Sequence, residues 1–288
     1  MRLDTERHSK VCLRDILAKI LHTKRGLLSN VNLMTLGSLP FFSYWKDIIM
    51  STFLLFDILV VLIGITIFCF INYRFNQESY HKITGNSFLS TIYDDSSDGT
   101  GRKGEYLIYK NLKFYEKNGG KFLFNCYLPR ENDETTEIDV LLICQDGIFV
   151  FESKNYSGWI FGSEKAKNWT QTLPQGRGKS LKKSFLNPIM QNKLHIKWLE
   201  SIVGKNIPLH SIIVFSERCT LKKIDINSAN VRVIKRDHIA ETVKAVSKEQ
   251  RSKLSAAQIT SLYKKLYPYT QVNDTLKQKH IANIRKIK

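Results

Sequence analysis

Apolar positions along this chain follow two regimes. From Ile48 to Ile71 they are nearly continuous, interrupted only by Ser51, Thr52, Asp57, Gly64 and Thr66. At ~1.5 Å rise per residue the stretch reaches about 36 Å as a helix, enough to cross a hydrocarbon core of ~30 Å with some tilt. Upstream, Leu13, Ile16, Leu17, Ile20 and Leu21 recur at helical spacing among Lys10, Arg14, Lys19, Lys24 and Arg25. That is the pattern of an amphipathic helix, either lying on an anionic leaflet or packed on another element. The uncharged stretch Leu27 to Trp45 is a weaker candidate for a second membrane helix, which would form a hairpin with the first.

The second regime is globular. A polar stretch from about Gln77 to Arg102 reads as a linker. Beyond it the periodicity predicts a helix over Glu105–Tyr115 and a strand over Phe122–Leu128. Strands at Thr136–Cys144 and Ile148–Lys154 follow, joined by a hairpin turn at Asp146-Gly147. Asn187 and Pro188 open a helix running to about Val203, and short strands follow at Ile212–Phe215 and Val231–Ile234. The pattern ends in an amphipathic helix over Ser247–Leu266, with Ser247 and Gln250 as its capping box, and a basic tail containing Lys277, Lys279, Arg285, Lys286 and Lys288. The order αβββαβ, apolar on both faces of its central strands, describes an α/β fold with a sheet between helices. The organisation is a basic amphipathic region over 1–47, a transmembrane helix over 48–71, a linker over 72–100, the α/β domain over 101–235 and a helical basic extension over 236–288.

Charge narrows the partners. Lys and Arg number 44 against 26 Asp and Glu, a net +18, and +15 of it lies after Ile71. A surplus of that size attracts a polyanion, nucleic acid or an anionic lipid surface, or serves only solubility. The five cysteines, Cys12, Cys69, Cys126, Cys144 and Cys219, are odd in number and form no CxxC pair. Zinc ribbons and disulfide frameworks are therefore disfavoured, and a reducing compartment fits. This puts the large C-terminal part in the cytoplasm, where the sequons at Asn155 and Asn168 stay unmodified. Asp57, an ionisable group in mid-span, is either functional or a contact to a partner membrane helix.

Two motifs are decoys. Asp94, Ser96, Asp98, Gly99 and Glu105 have calcium-loop spacing, but Gly101, Arg102 and Lys103 stand where that loop needs an apolar residue and no positive charge. Gln175 to Ser180 ends like a phosphate loop, yet Leu173 occupies the first glycine position.

The chemistry concentrates on the central hairpin. Glu152 and Lys154 are two apart on one strand, so they leave the same face. A turn at Asp146-Gly147 sets position 139 opposite 154, and a turn at Gln145-Asp146 sets it opposite 152. In both cases strict alternation puts Asp139, Glu152 and Lys154 on one side. Charges among Ile, Val, Leu and Phe are costly unless they form a structural network or hold a metal. Two carboxylates with a neighbouring amine suit metal-assisted phosphodiester hydrolysis. Arg177, Lys179, Lys182 and Lys183 form a flexible basic loop able to grip phosphates, with Trp159 and Trp169 nearby for base stacking, or else a solvated run beside core tryptophans.

The run TEIDVLLICQDGIFVFESKNYSGWIFG, preceded by GRKGE and followed by Trp169 and NPIMQ, resembles the nuclease-related domain (NERD) family of the PD-(D/E)xK nuclease superfamily, over about Gly101 to Phe215. The resemblance implies a restriction-endonuclease-like αβββαβ core with a mixed sheet. It implies that Asp139, Glu152 and the backbone carbonyl of Ser153 hold Mg²⁺ (or Mn²⁺) and that Lys154 assists the nucleophilic water. Glu105 would orient that water or a second metal. Gln191 resembles the glutamine of a QxxxY motif, with His195 at the tyrosine position. The expectation is a membrane-anchored, Mg²⁺-dependent nuclease acting on DNA or RNA. The alternative is a non-catalytic, membrane-tethered nucleic-acid-binding module.

Overall fold

A computed structural model describes residues 40–76, 78–94 and 96–287. The amphipathic region at Leu13–Leu21 and the start of the weaker apolar stretch lie outside them. The chain divides into two units, residues 1–70 and 71–288.

The described part of the first unit belongs to one helix, α1 (Pro40–Asn76). Its segment Met50–Ile71 has mean hydropathy 2.9 and buries nothing, and is long and apolar enough to cross a membrane. The hydroxyls of Ser51 and Thr66 donate to the carbonyls of Ile48 and Ile63 at 2.9 and 2.8 Å, so these polar interruptions are satisfied within the helix.

The stretch read as a linker is largely helical: α2 (Ser79–Thr84), α3 (Phe88–Tyr93), and α4 (Ser97–Leu112), which begins eight residues before Glu105. Ser87 and Ser96 cap α3 and α4, accepting from the amides of Ser90 and Gly99. Asp94, the first position of the calcium-like run, pairs with Arg102. Tyr80 explains why so polar a segment folds: it is fully buried, with its ring 4.9 Å from Phe124 and 5.3 Å from Tyr106. One aromatic anchors what the average composition conceals. A short turn of helix, α5 (Phe114–Lys117), closes this part.

Nine strands follow: β1 (Lys121–Pro129), β2 (Thr135–Cys144), β3 (Gly147–Lys154), β4 (Gly158–Ser163), β5 (Asn168–Pro174), β6 (Ser180–Leu186), β7 (Leu209–Phe215), β8 (Cys219–Asp225) and β9 (Val231–Lys235). Helix α6 (Pro188–Val203) precedes β7, and α7 (Ile239–Glu249), α8 (Ala256–Leu266) and α9 (Asp274–Ile287) end the chain. The main sheet runs β1-β2-β3-β7-β9. It is antiparallel from β1 to β3 and parallel from β3 to β9, the mixed sheet the αβββαβ order leads one to expect. One face packs Phe122, Phe124, Val140, Leu142, Phe149 and Phe151 against α4 and α7. The other packs Leu141, Ile143, Ile148 and Val150 against α6 and α8.

Cys144 pairs with Gly147, so the hairpin turns at Gln145-Asp146. Gly147 has φ +115°, and a Cβ there would lie 2.4 Å from the Pro208 carbonyl, so this position requires glycine. The expected Ser247–Leu266 helix is two helices. Ser247 lies inside α7, and the capping box is formed by Ser255 and Gln258 at the start of α8. Between them the Leu254 amide donates to the Gln145 carbonyl at 2.6 Å and Lys253 pairs with Asp146, which draws the chain onto the hairpin turn.

A second sheet, β6-β5-β4-β8, has no counterpart in the sequence reading. It makes a β-hairpin of the segment expected to be a flexible loop: Lys182 and Lys183 lie in β6, and Arg177 and Lys179 lie in the turn before it. Trp169 is a core residue, 1% exposed, parallel to Phe215 at 6.0 Å, with its indole N–H donating to the Ser163 carbonyl at 3.0 Å. It is not available for base stacking.

Candidate active site

Four elements deliver the acidic and basic groups to one end of the main sheet. Strand β3 brings Glu152 and Lys154. Glu152 is 3% exposed and both its oxygens are engaged. Lys154 Nζ donates to Oε1 at 2.5 Å, and His195 Nε2 lies 3.0 Å from Oε2. Burial alone would raise the Glu152 carboxyl, but the Lys154 ammonium and His195 overcome it and hold it down to about 2. Burial likewise disfavours the Lys154 ammonium, and the charges of Glu152 and Asp139 reverse this, pushing it above the usual lysine range.

Strand β2 brings Asp139, though not by simple alternation. The β1–β2 register runs Phe124↔Val140 and then Cys126↔Ile138, leaving Asn125 and Asp139 as an unpaired step, and Asn125 has φ +51°. Beyond this kink Cys126 and Ile138 join the core on the α6 side, whereas Phe124 and Val140 face α4. Alternation along β2 is thus interrupted at this step, yet Asp139 still has Glu152 and Lys154 as charge neighbours. Asp139 meets the others by a backbone contact: the Ser153 amide donates to its Oδ2 at 2.7 Å. Burial first, and then the Glu152 charge, push the Asp139 carboxyl well above its ordinary value, against Lys154 and this amide.

Helix α4 brings Glu105. A Cβ on Gly104 would come within 2.7 Å of Ser153 Oγ and 3.1 Å of Asn155 Cβ, so the glycine sets how closely α4 approaches the end of β3. Glu105 Oε2 is buried without a hydrogen-bond partner among the described residues. Burial, then Asp139 and Glu137, raise its carboxyl well above the carboxylate range. Gly104→Val should hold Glu105 away from Asp139 while leaving the core intact. About a tenfold loss of turnover is expected, short of the ~10²-fold that a misplacement of 1 Å can cost, with a melting temperature within a few degrees of wild type.

Helix α6 brings His195. Asn187 fixes its start: its Oδ1 accepts from the Ile189 amide, and its Nδ2 donates to the carbonyls of Ser163, Glu164 and Ala166 at 3.2, 3.0 and 2.7 Å. Two turns on, His195 Nδ1 lies 2.7 Å from Thr136 Oγ1. A carboxylate only accepts, so Nε2 carries a proton toward Glu152. Gln191, one turn earlier, makes no side-chain hydrogen bond among the described residues. The position that departs from QxxxY is the one touching the site.

Sequence reasoning also missed Asn125, whose buried Oδ1 lacks a partner, and the part played by Glu137. Burial, followed by Glu152, raises Glu137, which hydrogen-bonds Tyr127 and lies 3.5 Å from His280 of α9. Among the described residues no three His, Cys, Asp or Glu side chains are gathered at metal-binding geometry. Glu152 turns toward cations of the protein's own, while Glu105 and Asp139 repel each other. That donor set fits a divalent ion: hard carboxylates, one with an unpartnered oxygen, whose mutual repulsion a cation relieves. Arg177, Lys179, Lys182 and Lys183 are exposed on the β5–β6 hairpin.

A mixed sheet flanked by helices, with an aspartate on its second strand and Glu-Ser-Lys on its third, is consistent with a nuclease-like core. The family described as nuclease-related domain (NERD) matches residues 100–216. The chain is also 30% identical, over 181 residues, to an uncharacterised protein of Bacillus anthracis, a match covering 63% of this chain and 82% of that protein. It belongs to the NERD family, which makes it nuclease-related. No solved structure matches it.

Proposed function

We propose that this chain is a membrane-anchored, Mg²⁺-dependent nuclease that hydrolyses phosphodiester bonds, of DNA in the first instance. The observation that carries the reading is the pair of buried carboxyls, Glu105 and Asp139, raised first by burial and then by neighbouring carboxylate charge, with Glu105 Oε2 unpartnered among the described residues. Asp139, Glu105 and Glu152, with the Ser153 carbonyl, would hold the ion, which supplies charge neutralisation at a phosphate oxygen and a lowered pKa for bound water. Lys154 stabilises negative charge on the phosphate. Glu105 orients the attacking water, and His195 keeps Glu152 ionised and oriented. The exposed basic residues of the β5–β6 hairpin contribute phosphate contacts. Helix α1 anchors the chain in lipid, with the catalytic unit in the cytoplasm.

The test is cleavage of plasmid or oligonucleotide by the full-length protein in detergent. Products are expected with Mg²⁺ or Mn²⁺ and none with a chelator, and metal-independent cleavage would sink the proposal. One observation favours a second reading, a binding module without turnover: Lys154 and His195 already satisfy both oxygens of Glu152. That module predicts salt-dependent binding and no products with any metal.

A further inference from the structure

The outward face of the second sheet is organised differently from its core face. On β4, Ile160 packs with Trp169 in the core, and its neighbours Trp159 and Phe161 lie outside that cluster, Trp159 exposed and Phe161 half-buried, with the β4–β8 register shifting between Ile160 and Phe161. The register extends two rows across the sheet. Trp159 lies beside Thr172 and Thr220, and Thr172 beside Lys182. Phe161 lies beside Thr170 and Lys223, and Thr170 beside Ser184. Trp159 is 41% exposed, and Lys222 Nζ stands 5.5 Å from its ring centroid. Lys182, Lys222 and Lys223 put positive charge on both margins of the aromatic strand.

A single exposed tryptophan is ordinary. Two aromatics at i and i+2, spaced ~7 Å along a strand, with cations on both sides, form a surface that can take two unstacked bases and the phosphates flanking them. Inserting such a face into lipid would bury the hydroxyl rows of Thr170, Thr220 and Ser184 among acyl chains, which the geometry disfavours. In a duplex the base faces are already stacked and unavailable.

We propose that this face binds single-stranded nucleic acid, with bases stacking on Trp159 and Phe161 and phosphates meeting Lys182, Lys222 and Lys223. The inference rests on the nuclease reading for its purpose, and it gives that enzyme a preference for unpaired strands or ends.

Binding is measured without divalent metal, on the full-length protein in detergent, by anisotropy of labelled oligothymidine and of a blunt duplex. Oligothymidine binds the wild type more tightly than duplex. Trp159→Ala weakens oligothymidine about tenfold, within the range for loss of one stacked base, and leaves duplex affinity unchanged. Trp159→Phe restores most of the loss, and Lys222→Gln flattens the salt dependence. Equal oligothymidine affinity for wild type and Trp159→Ala, at matched melting temperatures, overturns the proposal, as does the lack of any preference for single strands. In liposomes carrying the full chain, the difference in acrylamide quenching between wild type and Trp159→Phe isolates this tryptophan. Shielding only after oligothymidine is added supports the proposal, and shielding by lipid alone overturns it in favour of a membrane interface. A protein that binds strands but cuts none leaves this inference standing while the nuclease reading falls. One that cuts, and whose Trp159→Ala variant binds like wild type, does the reverse.

Discussion

Glu152→Gln is expected to lower metal-dependent cleavage by about 10³-fold, the scale on which a preorganised charged group at a reacting centre contributes, while the protein stays folded. The substitution keeps the shape of a side chain that is only 3% exposed. It also leaves a workable hydrogen-bond pattern. With the amide oxygen facing Lys154, the amide NH₂ faces His195 Nε2. The ring can shift its proton to Nδ1 and donate to Thr136 Oγ1, 2.7 Å away. The lost charge on Glu152 leaves the buried Lys154 ammonium without its main counter-charge, at a cost of ~3–5 kcal/mol of stability, and under the proposed function the cluster loses its grip on a divalent cation. Cleavage should be assayed alongside thermal melts with and without Mg²⁺. Wild-type-like activity in this variant would place the chemistry elsewhere, and a Mg²⁺-induced rise in melting temperature equal to that of wild type would remove Glu152 from the ion site.

The features legible in the sequence were those in which local chemistry and the tertiary fold agree. Asn187-Pro188 reads as a helix start because the same asparagine that caps α6 also holds the β4–β5 turn. The β2–β3 hairpin reads clearly because both strands are apolar on each face. The Gln145-Asp146 alternative proved to be its turn, fixed by a glycine that sits against Pro208. The second sheet was hidden because β6 is polar and exposed: the seven residues Ser180–Leu186 leave only Phe185 and Leu186 partly covered, and alternation that weak does not distinguish a strand from a loop. Asp139 was placed by parity, and a left-handed Asn125 on the neighbouring strand breaks parity there. No single-strand pattern carries that information. His195 was noticed only as a departure from QxxxY. Its contact with Glu152 depends on how α6 lies across the sheet, a tertiary fact set in part by Asn192, which donates to the Val150 carbonyl at 3.0 Å and to Ser211 Oγ at 2.8 Å.

Lys154→Ala should cut turnover by about 10²- to 10³-fold and, unlike Glu152→Gln, destabilise the fold in a pH-dependent way. Removing one partner of a buried pair leaves the other charge uncompensated, at a cost of ~3–5 kcal/mol. In the wild type the Glu152 carboxyl is held near 2, below the ordinary value of ~4.3. Its contribution to stability is therefore fully present above that ordinary value and is lost as pH falls toward 2. Without Lys154, burial is opposed mainly by His195 and the carboxyl moves upward. A folded-state value above the unfolded one reverses the sign, so the variant loses stability as pH rises through that value. The melting-temperature gap between wild type and Lys154→Ala should therefore be widest near pH 7.5 and narrow as the solution is acidified toward pH 4. A gap independent of pH would mean that the ammonium stabilises the fold by packing its methylenes rather than by holding Glu152 ionised. The electrostatic account of the site would then lose its central pair.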